Sequence, residues 1–200
     1  MSIDTNIRNW SPKKKLVALL FGLLAIIGLV VTIYLVQRQQ ELRGRAEKAT
    51  ILTLAPPNQN VAPGDKAKVN VVINPGVNQV NFIRFTINFD PDRFSADDTS
   101  FALEPESDFE IIDGPVVSEG EFSVSVSVGS DPTKVIRTTQ KIGSIKLLVK
   151  DDAAGGASQV TFDESKTQVR SIGGGDTFAE NVLSSTVPAT ITIIAVCRPN

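Results

Sequence analysis

Phe82–Asp90 reads FIRFTINFD. Ile83, Phe85, Ile87 and Phe89 fall on one side of a period-two pattern; Phe82, Arg84, Thr86 and Asn88 fall on the other. Successive side chains of a strand point to opposite faces, so this alternation describes a strand with one oily side and one wet side. Antiparallel sheets are the ones that commonly show water a single face. Asp90-Pro91-Asp92 ends the run, because proline has no N–H to give a ladder.

The same pattern recurs outward from this stretch. In Glu121–Val128, Phe122, Val124, Val126 and Val128 alternate with Ser123, Ser125 and Ser127. Upstream, Val69, Val71 and Ile73 alternate with Lys68, Asn70 and Asn74, and Ile51–Pro56 starts the series. Downstream, Phe109–Asp113 forms a short strand before Gly114-Pro115, and Lys134–Thr138 is a further candidate. Gly143–Lys150 buries Ile145, Leu147 and Val149; Val160–Phe162, Thr167–Ser171 and Thr186–Ala195 follow, with Ala153–Ser158 and Gly173–Asp176 as loops. Roughly nine or ten strands at this spacing, with no long helix between them to make crossovers, predict an all-β antiparallel sandwich or jelly roll.

Before the strands lies Leu16–Val36, twenty-one residues without a charge. As a helix it would span roughly 30 Å, the thickness of a bilayer's hydrocarbon core. Lys13–Lys15, Tyr34 and Arg38 sit at its ends as interface anchors, with Trp10 at headgroup depth. The competing readings are a buried core helix, which the length disfavours, and a cleaved signal peptide, against which stands the charged Gln37–Lys48 where a cleavage site would lie. The expected organisation is a cytoplasmic leader over 1–15, a transmembrane helix over 16–36, a helical stalk over 37–49, a β-domain over 50–196 and a tail over 197–200. The three lysines abutting the apolar run favour N-terminus inside. The chain is thus expected at the cell membrane as a single-pass protein with an extracytoplasmic C-terminal domain.

Charge is split along the chain. Residues 1–48 hold eight Lys/Arg and three Asp/Glu, whereas residues 50–196 hold eleven and nineteen. An acidic domain disfavours nucleic acid as a partner. Histidine is absent and Cys197 is the single cysteine, which excludes intrachain disulfides, His/Cys zinc or haem sites, and Ser-His-Asp or Cys-His nucleophiles. Cys197 reads as an idle thiol or an intermolecular bridge.

Two blocks together resemble the cohesin domain and its relatives among bacterial carbohydrate-binding modules. The first is Val61-Ala62-Pro63-Gly64-Asp65 followed by a strand and then Phe85–Phe94; the second is Gly143-Ser144-Ile145, Val149-Lys150, Ala153–Gly156 and Val160-Thr161-Phe162. The likeness covers about Ile51–Ala195. It implies a nine-stranded jelly roll, and a sheet face that receives a protein module carrying calcium-bound helices. A single copy behind a membrane anchor departs from a scaffolding cohesin.

Placed on the alternation, the implied partner face is Phe82, Arg84, Thr86 and Asn88 beside Ser123, Ser125 and Ser127, a polar plate that also reads as an ordinary solvated face. Asp90, Asp92, Asp97 and Asp98 offer the oxygens calcium prefers, but lack the spacing, glycine and terminal glutamate of an EF-loop, which favours a solvated acidic loop over a calcium site. No other cofactor is implied and no catalytic residues stand out. Paired carboxylates for glycoside hydrolysis have no positive signal. Gly173–Gly175 lacks the Gly-Lys-Ser/Thr of a phosphate loop. The domain has neither Trp nor Tyr, so stacking of pyranose rings loses ground to protein binding. The expectation is therefore a non-catalytic surface module that docks a protein, with polysaccharide binding or a purely structural spacer as alternatives.

Overall fold

A computed structural model describes residues 12, 13, 16, 20, 22, 24–33, 47–172 and 181–194. The chain divides into two units. In the first, all the described residues are helical, and Leu16, Leu20, Leu24, Ile26, Ile27, Leu29, Val30, Val31 and Ile33 are all exposed. Among the described residues no helix is long and apolar enough to cross a membrane. Most of the leader, most of the stalk, Tyr34, the Gly173–Asp176 turn and Cys197 lie outside the described residues.

The described residues of the second unit form a two-layer β-sandwich of thirteen strands: β1 (Thr50–Ala55), β2 (Asn58–Val61), β3 (Lys66–Asn74), β4 (Val80–Asn88), β5 (Phe94–Ser95), β6 (Phe101–Leu103), β7 (Glu110–Ser118), β8 (Glu121–Ser127), β9 (Gln140–Val149), β10 (Gly156–Phe162), β11 (Gln168–Ser171), β12 (Leu183–Val187) and β13 (Ala189–Ile193). One sheet runs β12-β1-β3-β9-β5, with β6 also on β9; the other runs β2-β13-β10-β4-β8-β7, with β11 also on β4. The oily sides named by the alternation face each other. Leu52, Leu54, Val69, Val71, Ile73, Ile145 and Leu147 from the first sheet bury against Ile83, Phe85, Ile87, Phe122, Val124 and Val126 from the second.

The expected nine antiparallel strands are corrected in three ways. Proline splits the first and last strands. Pro56-Pro57 supplies no N–H to continue β1, so the chain crosses to the other sheet as β2, and Pro188 likewise separates β12 from β13. Each half then pairs in parallel with its counterpart, β1 with β12 and β2 with β13. Lys134–Thr138 is not a strand; Ile136 makes an isolated bridge to Val80. Gly114-Pro115 does not end a strand either, because β7 passes through it at a sheet edge. Two register shifts there absorb the extra residues.

The entry to the domain is pinned by one buried amide. Asn78 Oδ1 accepts from Glu47 N at 3.0 Å, and Asn78 Nδ2 donates to Glu47 O at 2.7 Å and to Thr50 Oγ1 at 3.0 Å. Thr50 Oγ1 in turn donates to the Pro75 carbonyl. A buried amide whose groups are all bonded fixes the geometry of both segments it joins.

Candidate functional site

The register between β4 and β8 sets Phe82 opposite Ser127, Arg84 opposite Ser125, Thr86 opposite Ser123 and Asn88 opposite Glu121. The seven residues marked from sequence therefore share one outer face. That face is wider than two strands. On one side β7 adds Glu110, Asp113 and Val116 opposite Ser127, Ser125 and Ser123. On the other, β11 adds Gln168 opposite Arg84 and Arg170 opposite Phe82.

The plate is not uniformly wet. Thr86 and Ser125 are each only 2% exposed. Thr86 is covered because the ladder on its far side is interrupted by the Asp163–Thr167 turn, which stands over the middle of β4. Asp163 N donates to Thr86 O, and Thr86 N donates to Thr167 Oγ1 at 3.3 Å. Thr86 Oγ1 gives its own proton to Ser123 Oγ at 3.1 Å. Ser125 lies beneath Arg84, whose Nε donates to its Oγ at 3.1 Å. Ser127 is occupied at the strand end, donating to Asn81 O and accepting from Gly129 N. Phe82 is half-buried, with the Arg170 guanidinium 5.4 Å from its ring centroid, a cation–π contact over the ring.

What the face presents to solvent is thus a charged groove and an apolar rim. Arg84 pairs with Asp113 at 3.5 Å, and Lys166 bridges Glu121 and Asp163. Arg84, Asp113, Glu121 and Lys166, with Gln168 and Asn181, line a groove of about 640 Å³. Its β7 border carries Ile112, 57% exposed, and Val116, 59% exposed. Asp113, Val116, Lys166 and Arg170 were not legible as neighbours of Arg84, because the bulged register of β7 and the turn before β11 break the alternation. One signal was available: Asp163-Glu164-Ser165-Lys166 repeats the pattern of Asp131-Pro132-Thr133-Lys134 and Asp97-Asp98-Thr99-Ser100.

In each of those turns the aspartate Oδ1 accepts both the N–H and the hydroxyl two residues ahead, from Thr99, Thr133 and Ser165. The hydroxyl bonds chiefly hold Asp97, Asp131 and Asp163 below the ordinary carboxylate value of 3.8. Folding therefore favours the ionised form, so this stabilisation is present above pH 3.8 and is lost as pH falls through the lowered values. Lys166 is raised above 10.5, chiefly by its hydrogen bond to Glu121, and its contribution is lost as pH climbs past that value. The melting temperature is expected to fall on both sides of this range. Substituting Thr99→Val, Thr133→Val and Ser165→Ala together should flatten the acid limb, which thermal melts from pH 2 to 5 would test.

Of the four carboxylates that offer oxygens for calcium, Asp90 and Asp97 are each engaged separately. Asp90 pairs with Arg93 at 3.2 Å and accepts from Asp92 N, while Asp97 closes its own turn. Among the described residues no group of three or more Asp, Glu, Cys or His is gathered to hold a metal ion.

No protein-family model and no curated protein matches the sequence. Solved structures do resemble the fold. The cohesin CaCohA2 from Clostridium acetobutylicum superposes with a TM-score of 0.59 at 18% identity, covering 74% of this chain and 92% of its own. The third cohesin of ScaC from Acetivibrio cellulolyticus, solved with the ScaB dockerin, gives 0.57 at 17%, over 73% and 99%. A type I cohesin–dockerin complex containing Coh-OlpA, from Clostridium thermocellum, gives 0.56 at 18%, over 73% and 99%. At these identities the likeness establishes a cohesin-type β-sandwich.

Proposed function

We propose that this chain is a non-catalytic binding module, held at a membrane by Leu16–Val36 with its β-domain on the extracytoplasmic side, and that it captures a protein partner on the outer face of β7, β8, β4 and β11. The observation that carries the reading is the row Asp113–Ser125–Arg84–Gln168 across four strands, within which Arg84 and Asp113 form an accessible ion pair beside the exposed Val116 and Ile112. A partner that meets both charges and covers the apolar rim would have the polar border and desolvated anchor typical of protein interfaces. Cohesins of the same fold, ScaC and Coh-OlpA, were solved with dockerins, which supports a protein as the partner here. The uncharged run over 16–36 and the exposed apolar side chains of residues 24–33 support the anchor.

The test uses the full chain, recovered by fractionation and extracted in mild detergent. It is expected in the membrane pellet and resistant to salt washing; recovery as an uncleaved soluble protein overturns the anchor. Immobilised full chain is expected to retain a defined envelope protein that the double substitution Arg84→Ala and Val116→Asp releases, with at least about a tenfold loss of capture and an unchanged melting temperature. Equal capture by the variant overturns this face. Both positions are exposed, so the substitutions leave the core intact.

A further inference from the structure

The opposite sheet carries a charge arrangement that docking through β4 and β8 does not use. Lys68 on β3 and Lys146 on β9 are direct cross-strand partners, and Lys66 is opposite Leu148. All three lysines are exposed, and none takes part in any of the ion pairs among the described residues. Directly opposed like charges have side chains about 5 Å apart at Cβ and cost stability, and a diagonal neighbour is only about 7–8 Å away. No carboxylate projects from β3 or β9, although residues 50–196 as a whole are strongly acidic. A locally unfavourable cluster kept in such a background is the kind of departure that marks a functional site.

The cluster borders a concave surface. A depression of about 400 Å³ is lined by Lys66, Lys146, Ser95, Asp97 and Leu148, with the Asp97–Ser100 turn as one wall. Leu148 is 39% exposed and supplies an apolar patch. Asp97 accepts all its turn bonds on Oδ1, and its Oδ2 has no partner among the described residues. Lys66 lies close enough to help keep Asp97 ionised. The depression therefore combines cations for an anionic group, a carboxylate oxygen for hydroxyl donors and an apolar surface for a ring face.

We propose that this depression binds an acidic sugar unit of a glycan, its carboxylate held by Lys66 and Lys146, its hydroxyls donating to Asp97 and one ring face resting on Leu148. Three features favour this over an anionic lipid surface. The site is concave, it includes a carboxylate that repels a dense array of phosphates, and it offers hydroxyl-matching groups. Without Trp or Tyr in the domain, recognition rests on charge and hydrogen bonds instead of ring stacking. Affinity for such a ligand falls with salt.

Calorimetry of the full chain in neutral detergent against trigalacturonate, its methyl ester and vesicles of phosphatidylglycerol tests the proposal. Saturable binding of trigalacturonate is expected. The ester, which keeps the rings and loses the charge, should bind at least tenfold more weakly, as should trigalacturonate to the Lys66→Gln, Lys146→Gln variant. The Arg84→Ala, Val116→Asp variant should bind as wild type, which separates this site from the docking face. Absence of saturable binding, equal binding of the ester, an unaffected lysine variant, or binding to vesicles but not to trigalacturonate overturns it.

Discussion

Replacing Phe85 with alanine is expected to cost about 4 kcal/mol, a large share of the roughly 5–15 kcal/mol that keeps an ordinary domain folded. Phe85 is fully buried on β4, midway along the alternating run that specifies the sheet. Its ring meets Phe101 at 5.7 Å and an interplanar angle of 68°, and Phe162 at 6.3 Å and 89°. Both are edge-to-face arrangements, which add to the burial of the ring itself. Phe101 comes from the sheet that contains β9, and Phe162 from β10, so one side chain joins both layers of the sandwich. Truncation removes transfer free energy and leaves a cavity that rigid neighbouring strands cannot close. Phe85→Leu should cost clearly less, because it keeps most of the apolar volume. Urea denaturation of the two variants checks the order, and a loss below 1 kcal/mol in Phe85→Ala would contradict the packing described.

Gly143→Ala is expected to destabilise by about 3 kcal/mol, through crowding instead of a void. A Cβ at Gly143 would lie 2.5 Å from the Ala102 carbonyl oxygen and 2.7 Å from the Phe101 ring. The first of these is backbone of the paired strand β6, which cannot swing away as a side-chain tip would. The space is missing because β9 shifts register against β3 between Val71 and Val72 while still pairing with β6 on its other side. Relief requires β6 to detach, so hydrogen exchange in Ala102 and Leu103 should rise far more than in β1. Gly143→Val should be worse than Gly143→Ala. If alanine is neutral by denaturant melt, the close approach of β6 is wrong.

These two residues also mark how far the sequence could be read. Its neighbours alone put Phe85 in the core, because period two over nine residues leaves little choice of face. The pattern puts Gly143 in a strand, but its reason for being glycine depends on β6, a three-residue strand too short to show any period. The same limit hid β2, whose Asn58-Gln59-Asn60 carries no oily alternation, and the two-residue β5. The candidate face was half legible for a related reason. Adjacent alternating strands displayed Arg84 and the serines, whereas Asp113 arrives through a bulge and Lys166 through a turn, and neither obeys a period. Burial of Thr86 was beyond reach, since its cover comes from residues about eighty positions later.

The pairing of the first strands with the last has a consequence for biogenesis. A polypeptide emerges from the ribosome N-terminus first, so β1 and β2 are made while β12 and β13 are still more than a hundred residues from synthesis. The outer pairings of both sheets must wait for the final segment, so β1 and β2 stay without their parallel partners for most of translation. Such long sequence separations slow acquisition of the native state and prolong exposure to misassembly. Truncation before Leu183 should therefore yield not a slightly shortened module but a chain dependent on chaperones throughout its lifetime.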